Sequence, residues 1–130
     1  MSVASLCLWA MVLPAAAEQV SDSMRLRILE MERQRIETIQ RIVPACVSIL
    51  DENRSAHGSG VVIDRTGVGL TNYHVVASLM RKRKGFGGLS DGEIYPLEVL
   101  GVDLTGDVAM FRLTGREQFC YAELGDSDDV

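Results

Sequence analysis

The hydrophobic pattern of the chain changes its period near residue 44. Between Ser21 and Ile42, apolar residues recur at steps of three and four, which places them along one face of a helix interrupted by Arg35. Pro44 ends this pattern, because proline disfavours the helical conformation at the residue before it. The sequence therefore predicts an amphipathic helix over residues 18–43, with an apolar stripe made of Met24, Ile28, Met31, Ile39 and Ile42.

Beyond Pro44, short apolar runs alternate with turn sequences. Ser90–Gly92 has the composition of a hairpin turn between two of these runs. Short β-prone runs at this spacing are typical of a barrel or sandwich. Residues 44–130 are thus predicted to form a mainly β domain, with strands at Ala45–Leu50, Gly60–Ile63, Gly69–Asn72, Phe86–Leu89, Ile94–Val102 and Val108–Leu113.

The first 17 residues contain no charged side chain and have an apolar core from Leu6 to Leu13, followed by Pro14 and Ala15–Ala17. This arrangement is typical of a signal peptide cleaved after Ala17. The apolar run is shorter than the roughly 20 residues that span a bilayer. The sequence therefore predicts a signal peptide over residues 1–17, export to the periplasm or the cell exterior, and no stable membrane span. A buried N-terminal segment is the alternative.

The charge balance bears on the partners of the protein. The net charge is −5, and the basic residues cluster only in the short run Arg81–Lys84. Nucleic-acid binding requires a basic face, so no nucleic-acid partner is predicted. The basic run is interpreted as a solvated loop, with a substrate or regulatory patch as the alternative. The predicted helix packs on a neighbouring domain or serves as an oligomerisation arm, so oligomerisation stays open.

Two cysteines, Cys46 and Cys120, remain after removal of a signal peptide. An exported protein would allow them to pair, but two buried free thiols are the preferred interpretation. Neither cysteine has the spacing of a metal site, and no cofactor or metal is predicted. The acidic segment Gly125–Asp129 lacks the full spacing of a calcium loop and is interpreted as a turn.

Four ordered blocks carry the candidate chemistry. The blocks are Gly58–Asp64, Thr71–Val76, Leu89–Gly92 and Gly101–Ala109. The first two resemble the GSGVII and TNxHVV segments of the HtrA/DegP family of trypsin-like serine proteases, and the next two resemble its SDG and D…DxA segments. Their common order makes the resemblance much more specific than any single block.

The resemblance implies the first β-barrel of a two-barrel trypsin-like protease, preceded by the N-terminal helix. It implies a serine-type endopeptidase that hydrolyses peptide bonds of protein or peptide substrates. By the same resemblance, His74 is the general base and Asp107 is the carboxylate that orients it. The other histidine, His57, matches no functional position and is interpreted as a solvated loop residue.

The resemblance also places the nucleophilic serine in a GNSGG-like turn of a second barrel, and these 130 residues contain no such turn. Ser127 follows Asp107, but its neighbours Asp126 and Asp128 would repel a developing oxyanion. The sequence therefore predicts a chain truncated before the serine and inactive alone. A non-catalytic protease-like barrel that binds partners or peptides is the alternative, and an interaction protein built on the predicted helix is a third.

Overall fold

The computed structural model describes residues 21–129, so the predicted signal peptide lies outside the described residues. Helix α1 spans Asp22–Ile42 and is followed by a 3₁₀ turn at Val43–Ala45. Pro44 lies at the start of this turn, where its missing N–H removes no helical hydrogen bond. The chain divides into two compact units between Gln34 and Arg35, and the second unit contains all the strands.

Six antiparallel strands form a closed barrel in the order β1-β2-β3-β6-β5-β4. Strand β1 pairs with β2 on one side and with β4 on the other, which closes the barrel. The predicted fold class, a trypsin-like β-barrel preceded by a helix, is confirmed. The strands are β1 Cys46–Leu50, β2 Ala56–Val62, β3 Val68–Thr71, β4 Lys84–Gly88, β5 Ile94–Asp103 and β6 Val108–Leu113.

The barrel interior is filled from alternate positions of the strands. Along β6, Ala109, Phe111 and Leu113 are buried, whereas Val108 and Met110 are exposed. This alternation follows from the two-residue period of a strand. Phe111 is fully buried in the interior core, which also includes Val47, Ile49, Val62, Val76, Leu97 and Val99.

Several local predictions from the sequence are wrong. Strand β2 begins at Ala56 rather than Gly60, so His57 lies in a strand and not in a loop. Between the predicted strands Gly69–Asn72 and Phe86–Leu89, where no helix or strand was predicted, the chain forms a short helix, α2, at Tyr73–Val76. Cys46 and Cys120 are free but exposed, not buried. Cys46 occupies an outward position of β1, and Cys120 follows Phe119, which takes the buried position.

Candidate active site

His74 is presented by helix α2 at the end of β3. Thr71, the last residue of β3, pairs with Gly60 and Ala109 and donates its hydroxyl to the Ser59 carbonyl at 2.7 Å. The following helix is held in place by the buried side chains of Val75 and Val76. The His74 side chain points the other way and keeps 69% of its surface exposed. The buried valines therefore fix the position of a histidine that solvent can reach.

Asp107 lies in the tight turn between β5 and β6. The turn is stabilised by Asp103, whose carboxylate accepts the Thr105 N–H at 2.9 Å. Asp107 itself has a φ of 51°, in the left-handed region. Aspartate enters this region more readily than most residues, but at some conformational cost. The turn thus places the carboxylate beside α2, although the two segments are far apart in sequence.

The structure brings His74 and Asp107 into direct contact across 33 residues of sequence. The Nδ1 atom of His74 lies 2.7 Å from Oδ2 of Asp107, and the backbone N–H of His74 donates to Oδ1 at 3.0 Å. The Asp107 side chain keeps 44% of its surface exposed. One carboxylate therefore fixes both the main chain and the ring of the same histidine.

These contacts favour the ionised form of Asp107. The hydrogen bond from the His74 backbone N–H is the largest cause that lowers the pKa of the Asp107 carboxyl below its usual 3.8. The His74 ring and the Asn72 amide act in the same direction, whereas removal from water opposes them. Hydrogen bonds to the charged form of a carboxyl group favour ionisation. At neutral pH the histidine consequently faces a negative charge.

This arrangement selects one form of the imidazole. A neutral ring beside a carboxylate acceptor carries its proton on Nδ1, which leaves Nε2 as a lone-pair base. Within the described part of the chain, no hydrogen bond is made to Nε2. The exposed nitrogen can accept a proton, and the carboxylate stabilises the imidazolium that results.

His57 forms a second histidine–carboxylate contact elsewhere in the barrel. Its Nε2 lies 3.2 Å from Oδ2 of Asp51, and its side chain is 32% exposed. The other oxygen of Asp51 accepts the backbone N–H groups of Asn53 and Ser55. This contact joins the residue that follows β1 to the beginning of β2, and it does not involve His74 or Asp107.

Asn72 also contacts Asp107, a role that was not predicted from the sequence. Its side-chain amide donates to the Asp107 backbone carbonyl at 3.1 Å and to Oδ2 at 3.3 Å. Two local signals mark Asn72: it is the asparagine of the block that resembles TNxHVV, and it stands immediately before a short helix, which favours a helix N-cap. Neither signal reveals a contact that crosses 35 residues.

Within the described residues, the other features considered in the sequence form no hydrogen bond with His74 or Asp107. Ser127 is the first residue of a 3₁₀ turn at Ser127–Asp129, and the carboxylate of the preceding Asp126 accepts the Asp128 N–H. In the basic run, Lys82 forms an ion pair with Glu52 at 2.8 Å. Residues 21–129 contain no group of three His, Cys, Asp or Glu side chains placed to bind a metal. Among the same residues, no helix has the length and apolar character needed to cross a membrane.

Comparison with known proteins gives consistent matches. The family model described as "Trypsin-like peptidase domain" matches residues 58–130. The chain is 29% identical to Serine protease HTRA1 of Xenopus tropicalis over 103 residues, 72% of this chain and 22% of that protein. It is 32% identical to Serine protease PepD of Mycobacterium tuberculosis over 98 residues, 69% of this chain and 21% of that protein.

A bacterial relative with a stated compartment also matches. The chain is 32% identical to a Probable periplasmic serine endoprotease DegP-like of Rickettsia conorii over 73 residues, 56% of this chain and 14% of that protein. The chain spans about a fifth or less of the length of these curated relatives.

Proposed function

We propose that this chain, which belongs to the trypsin-like peptidase family and is of the HtrA/DegP type, supplies the general base and its orienting carboxylate to a serine endopeptidase. The observation that carries the proposal is the 2.7 Å contact between Nδ1 of His74 and Oδ2 of Asp107. In the neutral ring this contact places the proton on Nδ1 and leaves Nε2 with the lone pair that a general base requires.

The reaction follows from this geometry. Nε2 of His74 takes the proton of a serine hydroxyl while the serine oxygen attacks the carbonyl carbon of the peptide bond. The proton then passes from Nε2 to the departing amine nitrogen, which leaves an acyl-enzyme for water to hydrolyse. Throughout, the Asp107 carboxylate holds the ring and balances the imidazolium charge.

The serine is proposed to come from outside these 130 residues. Ser127 is the only serine that follows Asp107 in the sequence, and it lies between two aspartates. A negative charge developing beside them would be destabilised. The polypeptide alone is therefore proposed to have no proteolytic activity.

The substrates and the compartment are proposed from the relatives. They are named serine proteases, and one is named periplasmic, which supports protein or peptide substrates and an exported location for this chain. The signal-like composition of residues 1–17 supports the same location.

A domain exchange tests the catalytic proposal. The residues of this chain that align with the M. tuberculosis relative would replace the aligned residues of that protein, and hydrolysis of a fluorogenic peptide would be measured. We expect turnover that falls by roughly 10⁴-fold or more in His74→Ala. His57→Ala is the matched control, because His57 contacts Asp51 and not Asp107, and it should stay within about twofold of the parent.

The outcomes separate the two candidate functions. Activity that survives His74→Ala in a folded exchange protein would contradict the role of His74. A folded but inactive exchange protein would instead favour the non-catalytic barrel that binds partners or peptides. Hydrolysis by the 130-residue chain alone, abolished by His74→Ala, would contradict the proposed inactivity of the isolated chain.

A further inference from the structure

Asn72 stands where an asparagine ordinarily caps a helix, yet it does not do so. It is the residue before α2, with the extended backbone of an N-cap (φ −81°, ψ 148°). Its side chain makes no capping hydrogen bond to the helix. At this position the side-chain oxygen would normally accept an N–H from the first turn. The Asn72 side chain therefore does not stabilise α2 as an N-cap, and its hydrogen bonds lie elsewhere.

The Asn72 side chain instead forms two hydrogen bonds with Asp107. One amide nitrogen donates to the Asp107 carbonyl oxygen at 3.1 Å and to Oδ2 at 3.3 Å. Both partners are acceptors, so only the NH₂ end of the amide can face them. Asn72 thus forms hydrogen bonds with both the main chain and the side chain of Asp107.

Asp107 needs such support for two reasons. Its backbone has a φ of 51°, an unfavourable conformation for a residue with a side chain. The Tyr73 N–H and the Asn72 amide both bond its carbonyl, at 3.1 Å each, and hold that conformation. Moreover, 44% of its side chain is exposed, so hydrogen bonds rather than close packing set the direction of the carboxylate.

We propose that Asn72 is a positioning residue, which holds Asp107 in the backbone and side-chain conformation that faces His74. The proposal rests on the function proposed for His74 and Asp107. Oδ2 accepts from both the His74 ring and the Asn72 amide, and Oδ1 accepts from the His74 backbone. Removal of the Asn72 amide leaves the carboxylate with contacts to His74 alone and leaves the Asp107 carbonyl bonded to the Tyr73 N–H without the second donor.

NMR spectroscopy of the full 130-residue chain tests this role. Carbon-detected titration reports the pKa of the Asp107 carboxyl, and long-range nitrogen–proton spectra report which nitrogen of the neutral His74 ring carries the proton. In Asn72→Ala we expect the pKa of Asp107 to rise, because one donor to its charged form is lost. We also expect the fraction of His74 protonated at Nδ1 to fall.

Two further variants make the test specific. Thr71→Val removes the neighbouring hydrogen bond to Ser59, which does not involve Asp107, and should leave both readouts at their wild-type values. Asn72→Asp keeps the size of the side chain but places a second carboxylate against Asp107, and should raise the pKa of Asp107 further. If Asn72→Ala does not fold, the pKa of Asp107 in Asn72→Asp tests the role of Asn72 instead.

The possible failures are distinguishable. Wild-type values for both readouts in Asn72→Ala would overturn the role of Asn72 and leave the His74–Asp107 pair intact. An equal change in Thr71→Val would also overturn it, since the effect would then be a general loosening of the β3 end. If His74→Ala leaves the Asp107 titration unchanged, the pair itself is absent and the proposed function fails.

Discussion

His74 and Asp107 are joined by two hydrogen bonds that use different parts of the histidine. Oδ1 of Asp107 accepts the His74 backbone N–H at 3.0 Å, while Oδ2 faces the ring nitrogen Nδ1 at 2.7 Å. The first bond places α2 against the β5–β6 turn, and the second sets the tautomer of the ring. One carboxylate thus contacts both the backbone of α2 and the ring of His74.

Replacement of Asp107 by asparagine should reverse the tautomer of His74. An amide can turn its NH₂ group towards Nδ1, which makes Nδ1 an acceptor and leaves the ring proton on Nε2. In serine proteases a substitution of this kind lowers kcat by roughly 10⁴-fold, because the base carries its proton on the wrong nitrogen. Long-range nitrogen–proton NMR spectra of the neutral ring would show the change in Asp107→Asn.

Asp103→Asn is the matched control for that substitution. Asp103 lies in the same turn, but its carboxylate accepts the Thr105 N–H and does not contact His74. The ring should keep its proton on Nδ1 in this variant. A wild-type tautomer in Asp107→Asn would contradict the orienting role proposed for Asp107.

The strands were predictable because their signal is local. Along β6, buried and exposed residues alternate with period two, and Gly92 in the turn before β5 has the positive φ of 85° that its sequence suggests. The closure of the barrel through β1 and β4 was not evident from any pattern. It depends on pairing between segments that are far apart in the chain.

The candidate site was only partly predictable. The resemblance to a family singled out His74 and Asp107, and the structure brings them together. The resemblance included Asn72 in the TNxHVV-like block but assigned it no role, and it indicated neither the contact of Asn72 with Asp107 nor the contact between His57 and Asp51. His57 was misplaced because the glycine-rich beginning of β2 lacks the apolar alternation that marks a strand.

Acid should weaken the barrel partly through Asp51. The Ser55 backbone N–H, followed by the His57 ring, lowers the pKa of the Asp51 carboxyl in the folded state below its usual 3.8. A lowered folded-state pKa stabilises the protein above the unfolded-state pKa, and this stabilisation is lost as pH falls through the folded-state pKa. Urea unfolding measures the free energy of unfolding at pH 7 and near pH 3. Between these two values, this free energy should decrease less for Asp51→Asn than for the wild type.

His57→Ala provides the comparison for this pH effect. The Ser55 N–H contributes more than the His57 ring to the lowered pKa of Asp51. Most of the acid sensitivity that Asp51 causes should therefore remain in His57→Ala. An identical pH dependence in Asp51→Asn and the wild type would contradict the linkage.

Two neighbouring residues of β6 should differ sharply in their contribution to stability. Phe111 is fully buried in the core, whereas Met110 is 41% exposed on the outer surface. Phe111→Ala should reduce the free energy of unfolding by about 3–5 kcal/mol, since it removes apolar contacts and leaves a cavity. Met110→Ala should change it by about 0.5 kcal/mol or less. Chemical denaturation followed by circular dichroism measures both, and similar losses would contradict the assigned orientation of β6.

Gly60 should resist substitution because the Phe111 ring occupies the space above it. A Cβ atom added to Gly60 would lie 2.8 Å from Cε1 of Phe111 and 2.8 Å from the Leu70 carbonyl oxygen. The backbone oxygen cannot move without disturbing the β2–β3 pairing, so Gly60→Ala should cost about 1–3 kcal/mol of stability. Gly101→Ala is the control, because a Cβ there meets no atom within 4 Å, and it should be neutral or slightly stabilising. Equal unfolding midpoints in urea for the two variants would mean that Phe111 does not pack against Gly60.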